Sequence, residues 1–421
     1  MIIQFKCANH RSIKEEVTFS MLASGDESLS ENLITTENGQ KYLRCAEIYG
    51  ANGSGKTSLL DAIQLMGALV VSSNNFQPGD SIGRAPHKLA KEAPTSFAMI
   101  FIKNGTKYSY GFSYNDTEIL EEYLYYWPKR KKAMIFEREN NLEFTFSEDF
   151  KKEGENCKGR LKKNKLLLSC AANETSIKEI VEEAFLFFKD DLVIYPRMHS
   201  NWFEYSVKQI QDNAEMKRTF INFMKSIGST DLEDISAKIE QRSLTQEELS
   251  AFMMIPALPG FVQQLSSQKM NVITLQLHYK KFVVDIKEES AGVKKLFEFL
   301  CPIIDILHSG KILVCDEIET HLHPSIVAEI VKKFCKNRQS LGQIIFTTHD
   351  TNLLDLDFVR RDQIWFTELN PENHSTDLYS LAELKNVRKN ENIRKGYISG
   401  RYGAIPLLNS DIAEVADVVE R

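Results

Sequence analysis

Residues 50–57 read GANGSGKT and constrain this chain more than any other stretch. They satisfy G-x-x-x-x-G-K-[ST] at every specified position, the pattern of a phosphate-binding P-loop. The flanks agree with it. Leu43, Cys45, Ala46, Ile48 and Tyr49 form a short apolar run suited to a buried strand, and Leu59, Leu60, Ile63 and Met66 fall on one helical face. Strand, glycine loop and helix are what the loop needs. Its glycines let the backbone N–H groups of Gly50, Ala51, Asn52, Gly53, Ser54 and Gly55 turn toward phosphate oxygens, and the following helix points its positive end at the same anion. Lys56 is placed to reach the β- and γ-phosphates and Thr57 to ligand Mg²⁺, with Ser58 completing the loop's exit.

The rest of the composition sets bounds. At 421 residues the chain is long enough for two or three domains. A net charge of −6 argues against a general nucleic-acid coat, although a local basic face stays open. Seven scattered cysteines without a C-x-x-C pair indicate neither a zinc ribbon nor a disulfide framework, and fit a reducing cytosol. No signal-peptide core and no membrane-length apolar run is present, so a cytoplasmic protein is expected.

Along the chain, strands are expected at 2–8 and 16–22, and a loop or short hairpin at about 24–40. After the P-loop unit, 72–95 is rich in Ser, Asn, Pro and Gly and reads as irregular. Phe97, Met99 and Phe101, then Tyr108, Tyr110 and Phe112, alternate across the turn at Asn104-Gly105. Further strands fit 118–127, 133–138 and 142–147. From about 174 to 265 the pattern is helical, with Met216, Phe220, Phe223, Met224 and Ile227 in a stripe before Gly228. Thr245 and Glu248 form a capping-box pair. These shifts divide the chain into an N-terminal half at 1–149, a mainly helical insertion at 150–268 and a C-terminal half at 269–421.

The C-terminal half narrows the chemistry. Residues 311–317, KILVCDE, read as an apolar strand ending in Asp316 and Glu317; 343–350, QIIFTTHD, as a second ending at His349. In an open α/β sheet, ligands bind at the carboxyl ends of strands. Asp316 is placed to hold Mg²⁺ and Glu317 to polarise an attacking water, while His349 can hydrogen-bond the γ-phosphate and that water. Alone, an Asp-Glu strand exit or a histidine after a strand is often merely structural. Joint placement with the P-loop gives them their meaning.

Together GANGSGKTSLLDAI, ESAGVKKLF, LVCDEIETHLHP, FTTHDTNLLD and GYISGRYGAIP resemble an ABC-type ATPase head. Within that class the chain is similar to the OLD-like and AbiL-like ATPases of bacterial phage-defence operons, and more distantly to RecF and SMC-type heads. The resemblance covers about 1–125 and 270–421. It implies an α/β fold: a mixed central sheet, an antiparallel β subdomain and a helical insertion. It also implies that Ser290 and Gly292, matching the signature serine and glycine, reach the γ-phosphate held by a second copy, so that ATP and Mg²⁺ sit in composite sites of a homodimer or higher oligomer. Glu289 and Val293 depart from the LSGGQ form. Glu319, Thr320 and His321 fall in the D-loop region, and no glutamine is assigned to a Q-loop.

Other stretches admit two readings. The basic runs at 129–132 and 151–165 suit either a nucleic-acid backbone or a lysine-blunted sheet edge. His321 and His323 lack a third well-spaced metal ligand. Asp355 and Asp357 lack the upstream glutamate strand of a TOPRIM nuclease, so a nuclease or toxin output is expected in a separate effector chain. Three functions compete: a defence ATPase controlling such a partner, a DNA-repair ATPase of RecF type, and a non-hydrolysing nucleotide sensor.

Overall fold

The computed structural model describes residues 1–140, 142–195, 202–226, 230–243, 269–320, 322–337, 341–385, 387–388 and 391–406. The chain begins with β1 (Ile2–Ala8), β2 (Val17–Ser20), β3 (Leu33–Thr35), β4 (Lys41–Leu43) and β5 (Cys45–Tyr49), then α1 (Lys56–Ser72). There follow β6 (Thr95–Lys103), β7 (Thr106–Tyr114), β8 (Ile119–Trp127), β9 (Ala133–Glu139), β10 (Glu143–Phe146), α2 (Lys151–Lys158), α3 (Leu167–Ala171), α4 (Glu179–Leu186) and β11 (Leu192–Tyr195). Next come α5 (Trp202–Asp212), α6 (Ala214–Ser226), β12 (Leu232–Ser243), β13 (Lys269–Tyr279), β14 (Val283–Asp285) and α7 (Ala291–Ser309). The last elements are β15 (Ile312–Cys315), α8 (Pro324–Lys336), β16 (Gln343–Thr347), β17 (Ile364–Leu369), β18 (Thr376–Ser380) and α9 (Ile393–Ile398).

The chain forms two compact units. The first comprises Met1–Arg197, Ile306–Thr320 and Val327–Arg421. Its central sheet has the order β11-β15-β16-β5-β17-β18, parallel except for the antiparallel edge strand β18. Every residue of β5, β15 and β16 is buried, as continuous apolar runs in a parallel sheet require. Beside it lies an antiparallel sheet, β10-β9-β8-β7-β6-β1-β2. The two are the mixed central sheet and antiparallel β subdomain expected from the sequence. The large core of this unit joins its layers: Leu59, Ile63 and Met66 of α1 share it with Ile48, Val314 and Ile345 of the central sheet and Phe5, Phe97 and Phe101 of the antiparallel one. The buried Gln343 stitches the sheets: its amide oxygen accepts from Ile2 N (2.6 Å) and its amide nitrogen donates to Ile2 O (3.1 Å) and Leu43 O (2.8 Å).

The second unit comprises Met198–Asp305 and His321–Ile326. Its sheet, β12-β13-β14, is antiparallel. Phe220 of α6 packs on Phe297 of α7, ring centroids 4.3 Å apart.

Two strands stand where the sequence pattern suggested helix. β11 is the four-residue run LVIY, too short for apolar periodicity to separate strand from helix. It joins the buried parallel sheet. β12 alternates instead from Ile235 onward, with Ile235 buried, Ala237 and Ile239 half-buried and the residues between them exposed, after a bulge that follows the buried Leu232. That period of two was present in the sequence. Ile227, Gly228, Thr245, Glu248 and His321 lie outside the described residues.

Candidate nucleotide-binding site

The site grows from the carboxyl end of β5. The chain leaves the strand at Gly50, turns through Gly53 and Gly55, and enters α1 at Lys56. Gly55 has φ +108°, and a Cβ there would come within 2.1 Å of Thr376 Oγ1. Only glycine accepts both the conformation and the contact. At Gly50 a Cβ would lie 2.4 Å from both Ser54 Oγ and Thr367 Oγ1.

Hydroxyls of the neighbouring strands hold the loop. Ser54 Oγ and Thr367 Oγ1 are 2.7 Å apart, and Thr376 Oγ1 donates to Ser54 O at 3.0 Å. Thr376 Oγ1 also lies 2.7 Å from Ser12 Oγ, which donates to Ser58 Oγ at 2.8 Å. His10 and Arg11 both bond the Asp61 carboxylate on α1. From the other side, Tyr397 donates to Ala404 O at 3.1 Å and lies edge-on to Tyr49. The GYISGRYGAIP stretch singled out in the sequence thus packs on Tyr49, the residue just before the loop.

Lys56 is buried, and its ammonium donates to the loop carbonyls of Gly50 (2.8 Å) and Ala51 (3.1 Å). Burial pushes its pKa down; the carboxylates of Asp316, Glu317 and Glu319 push it back up. Thr57 Oγ1 donates to Asp316 Oδ2 at 2.9 Å, across 259 residues of sequence. Asp316 follows β15, and its other carboxylate oxygen accepts from Thr347 Oγ1 at the end of β16. Thr347 Oγ1 in turn accepts from Glu317 N at 2.7 Å. One threonine therefore fixes both acids.

Glu317 is exposed and has φ +47°, a strained conformation for a residue with a Cβ. His349 is exposed, and its backbone N–H donates to Glu319 Oε1 at 2.6 Å. Glu319 Oε2 is buried and has no hydrogen-bond partner among the described residues. So the first unit brings together Gly50–Ser58 of the loop, Asp316, Glu317 and His349. Ser290 and Gly292 belong to the second unit, where Ser290 Oγ accepts from Val293 N at 3.3 Å and caps α7.

Sequence reasoning missed Ser12, Thr347, Thr367 and Thr376. No local signal marks them: each acts on a residue distant in sequence that only the tertiary fold brings close.

A glycine loop at the end of a buried parallel strand, with a lysine, a threonine and a carboxylate converging beside it, defines a P-loop nucleotide-binding domain. The chain belongs to the family described as "AAA domain, putative AbiEii toxin, Type IV TA system", whose model matches residues 46–156 and 185–355, more than half of its length. It accordingly carries an AAA-type ATPase domain. Among solved structures it is similar to an Smc head bound to the C-winged helix domain of ScpA (14% identity, TM-score 0.43, covering 90% of this chain and 97% of that one). It is also similar to the SMC head domain from Thermotoga maritima (12%, 0.38, 90% and 98%). A third is an Smc head domain with an extended coiled coil bound to the C-terminal domain of ScpA derived from Pyrococcus furiosus (13%, 0.39, 90% and 96%). No curated protein matches the chain. Among the described residues, no helix is long and apolar enough to cross a membrane.

Proposed function

We propose that this protein is an ABC-type switch that binds and hydrolyses ATP. The observation that carries the reading is the 2.9 Å bond between Thr57 and Asp316. Two oxygen ligands suited to a hard divalent cation converge beside a P-loop. In this reading Thr57 and Asp316 hold Mg²⁺, which supplies charge compensation on the phosphates when bound. The loop's N–H groups from Gly50 to Ser58 cradle the phosphates, and Lys56 exchanges its loop carbonyls for phosphate oxygens. Glu317 orients and deprotonates water, helped by the His349 side chain. Glu319 fixes the backbone that carries His349.

The reading extends to assembly. Ser290 and Gly292 begin α7, a helix N-terminus suited to an anionic γ-phosphate on a second copy. ATP then sets self-association, and self-association controls a separate effector, a nuclease or toxin, in a cytoplasmic anti-phage response. Hydrolysis resets the switch.

Light scattering on Glu317→Gln with and without Mg-ATP, alongside turnover by the parent, tests this. The reading expects the variant to bind ATP, fail to turn over and grow in mass, and Lys56→Ala to lose nucleotide binding. Equal turnover in Glu317→Gln and the parent would remove Glu317 from its role. An unchanged mass would remove Ser290 and Gly292 from theirs.

A further inference from the structure

Away from the P-loop, two of the scattered cysteines meet. Cys157 lies in α2 and Cys170 in α3, and both are buried. Glu174 follows α3. The two sulfurs and a Glu174 carboxylate oxygen all lie within 4.8 Å of one another. Arg160 forms an ion pair with that same carboxylate.

We propose that Cys157, Cys170 and Glu174 form a binding site for a divalent cation of the zinc class. The donor set suits a borderline-soft ion: two sulfurs and one oxygen, with water as fourth ligand. The spacing is close to what such an ion needs. Metal–sulfur bonds of about 2.3 Å and metal–oxygen bonds of about 2.0–2.2 Å set ligand atoms roughly 3.5–3.8 Å apart in a tetrahedron. Atoms within 4.8 Å of one another reach that spacing by side-chain movement of about 1 Å or less. Charge also balances. Two thiolates and a carboxylate carry three negative charges against the ion's two positive ones, and the Arg160 guanidinium offsets the remainder. Arg160 thereby acts as the outer partner that orients a ligating carboxylate. Binding releases the two thiol protons to solvent, so affinity rises with pH.

The site's place in the fold gives it a consequence. α2 packs against β10, where Gly154 faces Phe146, and the N-terminus of α3 is held by Glu122 from β8. An ion bridging α2, α3 and the following turn clamps the helices that cover this edge of the antiparallel sheet.

The test uses the full chain, reduced and freed of metal with a chelator, titrated with Co²⁺ and then Zn²⁺. One Co²⁺ per chain is expected to produce a sulfur-to-metal charge-transfer absorption, with Zn²⁺ displacing it and raising the melting temperature. The band separates this site from the oxygen ligands beside the P-loop. Cys157→Ser/Cys170→Ser should abolish the band, while Cys301→Ser keeps it. Glu174→Gln, a change at the more accessible ligand, should keep the fold and weaken Co²⁺ binding tenfold or more. Absence of the band in the parent, or its persistence in the double-serine variant, would overturn the proposal. So would an unchanged Co²⁺ affinity in Glu174→Gln.

Discussion

Acids in the first unit are handled in two opposite ways. Glu122, inside the antiparallel sheet, is fully enclosed and fully occupied. It accepts from the Tyr110 hydroxyl (2.9 Å) and the backbone N–H groups of Leu167 (2.6 Å) and Leu168 (3.0 Å), and Arg138 lies 3.8 Å away. Burial pushes its pKa up, opposed first by Arg138. At the ends of the central strands, Glu317 is left exposed on a strained backbone, and Glu319 keeps one buried oxygen without a partner among the described residues. A carboxylate whose capacity is spent inside the protein holds the fold together. One whose capacity is left over marks a place where something else completes the bonding.

The contrast is sharpest where activity and stability are predicted to part. Glu317→Gln should lower ATP turnover about 10²–10⁴-fold, measured by phosphate release, with the urea midpoint unmoved. Glu317→Gly should be equally inactive yet more stable by about 1 kcal/mol, because glycine accepts a positive φ without strain. A destabilised Glu317→Gly would break the comparison.

Glu122→Ala should do the reverse. Removing it takes away the carboxylate beside Arg138 and the acceptor of two buried N–H donors, and should cost about 3–5 kcal/mol in denaturant unfolding. Turnover per folded molecule should stay at the parent value. Next in size, Gly55→Ala drives a methyl into Thr376 and should cost about 1–3 kcal/mol; isothermal titration should also show weaker nucleotide binding. The smallest effect is expected for Thr347→Val, which keeps the shape and removes the hydroxyl shared by Asp316 and Glu317. It should weaken Mg²⁺-dependent turnover about tenfold and stability by about 1 kcal/mol, read from a Mg²⁺ titration and a melting curve.

How much of this was legible in the sequence follows from how local each feature is. The P-loop, Asp316-Glu317 and His349 sit at the ends of contiguous apolar runs, so strand and motif announce each other. The hairpins from β6 to β9 were visible for the same reason: alternation and Asn104-Gly105 act within a few residues. Thr367 and Thr376 carried no such signal. They matter because β17 pairs with β5 and β18 with β17, more than 300 residues from the loop they support. β12 is a different case. Its alternation was readable, but the amphipathic stripe of α6 just before it drew the whole stretch toward helix.

Lys56 offers a last consequence. Its ammonium is already solvated by the protein, bonded to the carbonyls of Gly50 and Ala51. An incoming nucleotide therefore competes with the loop itself, swapping one set of acceptors for another. Such an exchange gains little from hydrogen-bond number alone. It gains from the full negative charge that a carbonyl lacks, so the selection is for charge density. Neutral or singly charged ligands should leave the lysine where it is. Affinity for nucleotides should fall in the order tri-, di- and monophosphate, and sensitivity to added salt should fall in the same order.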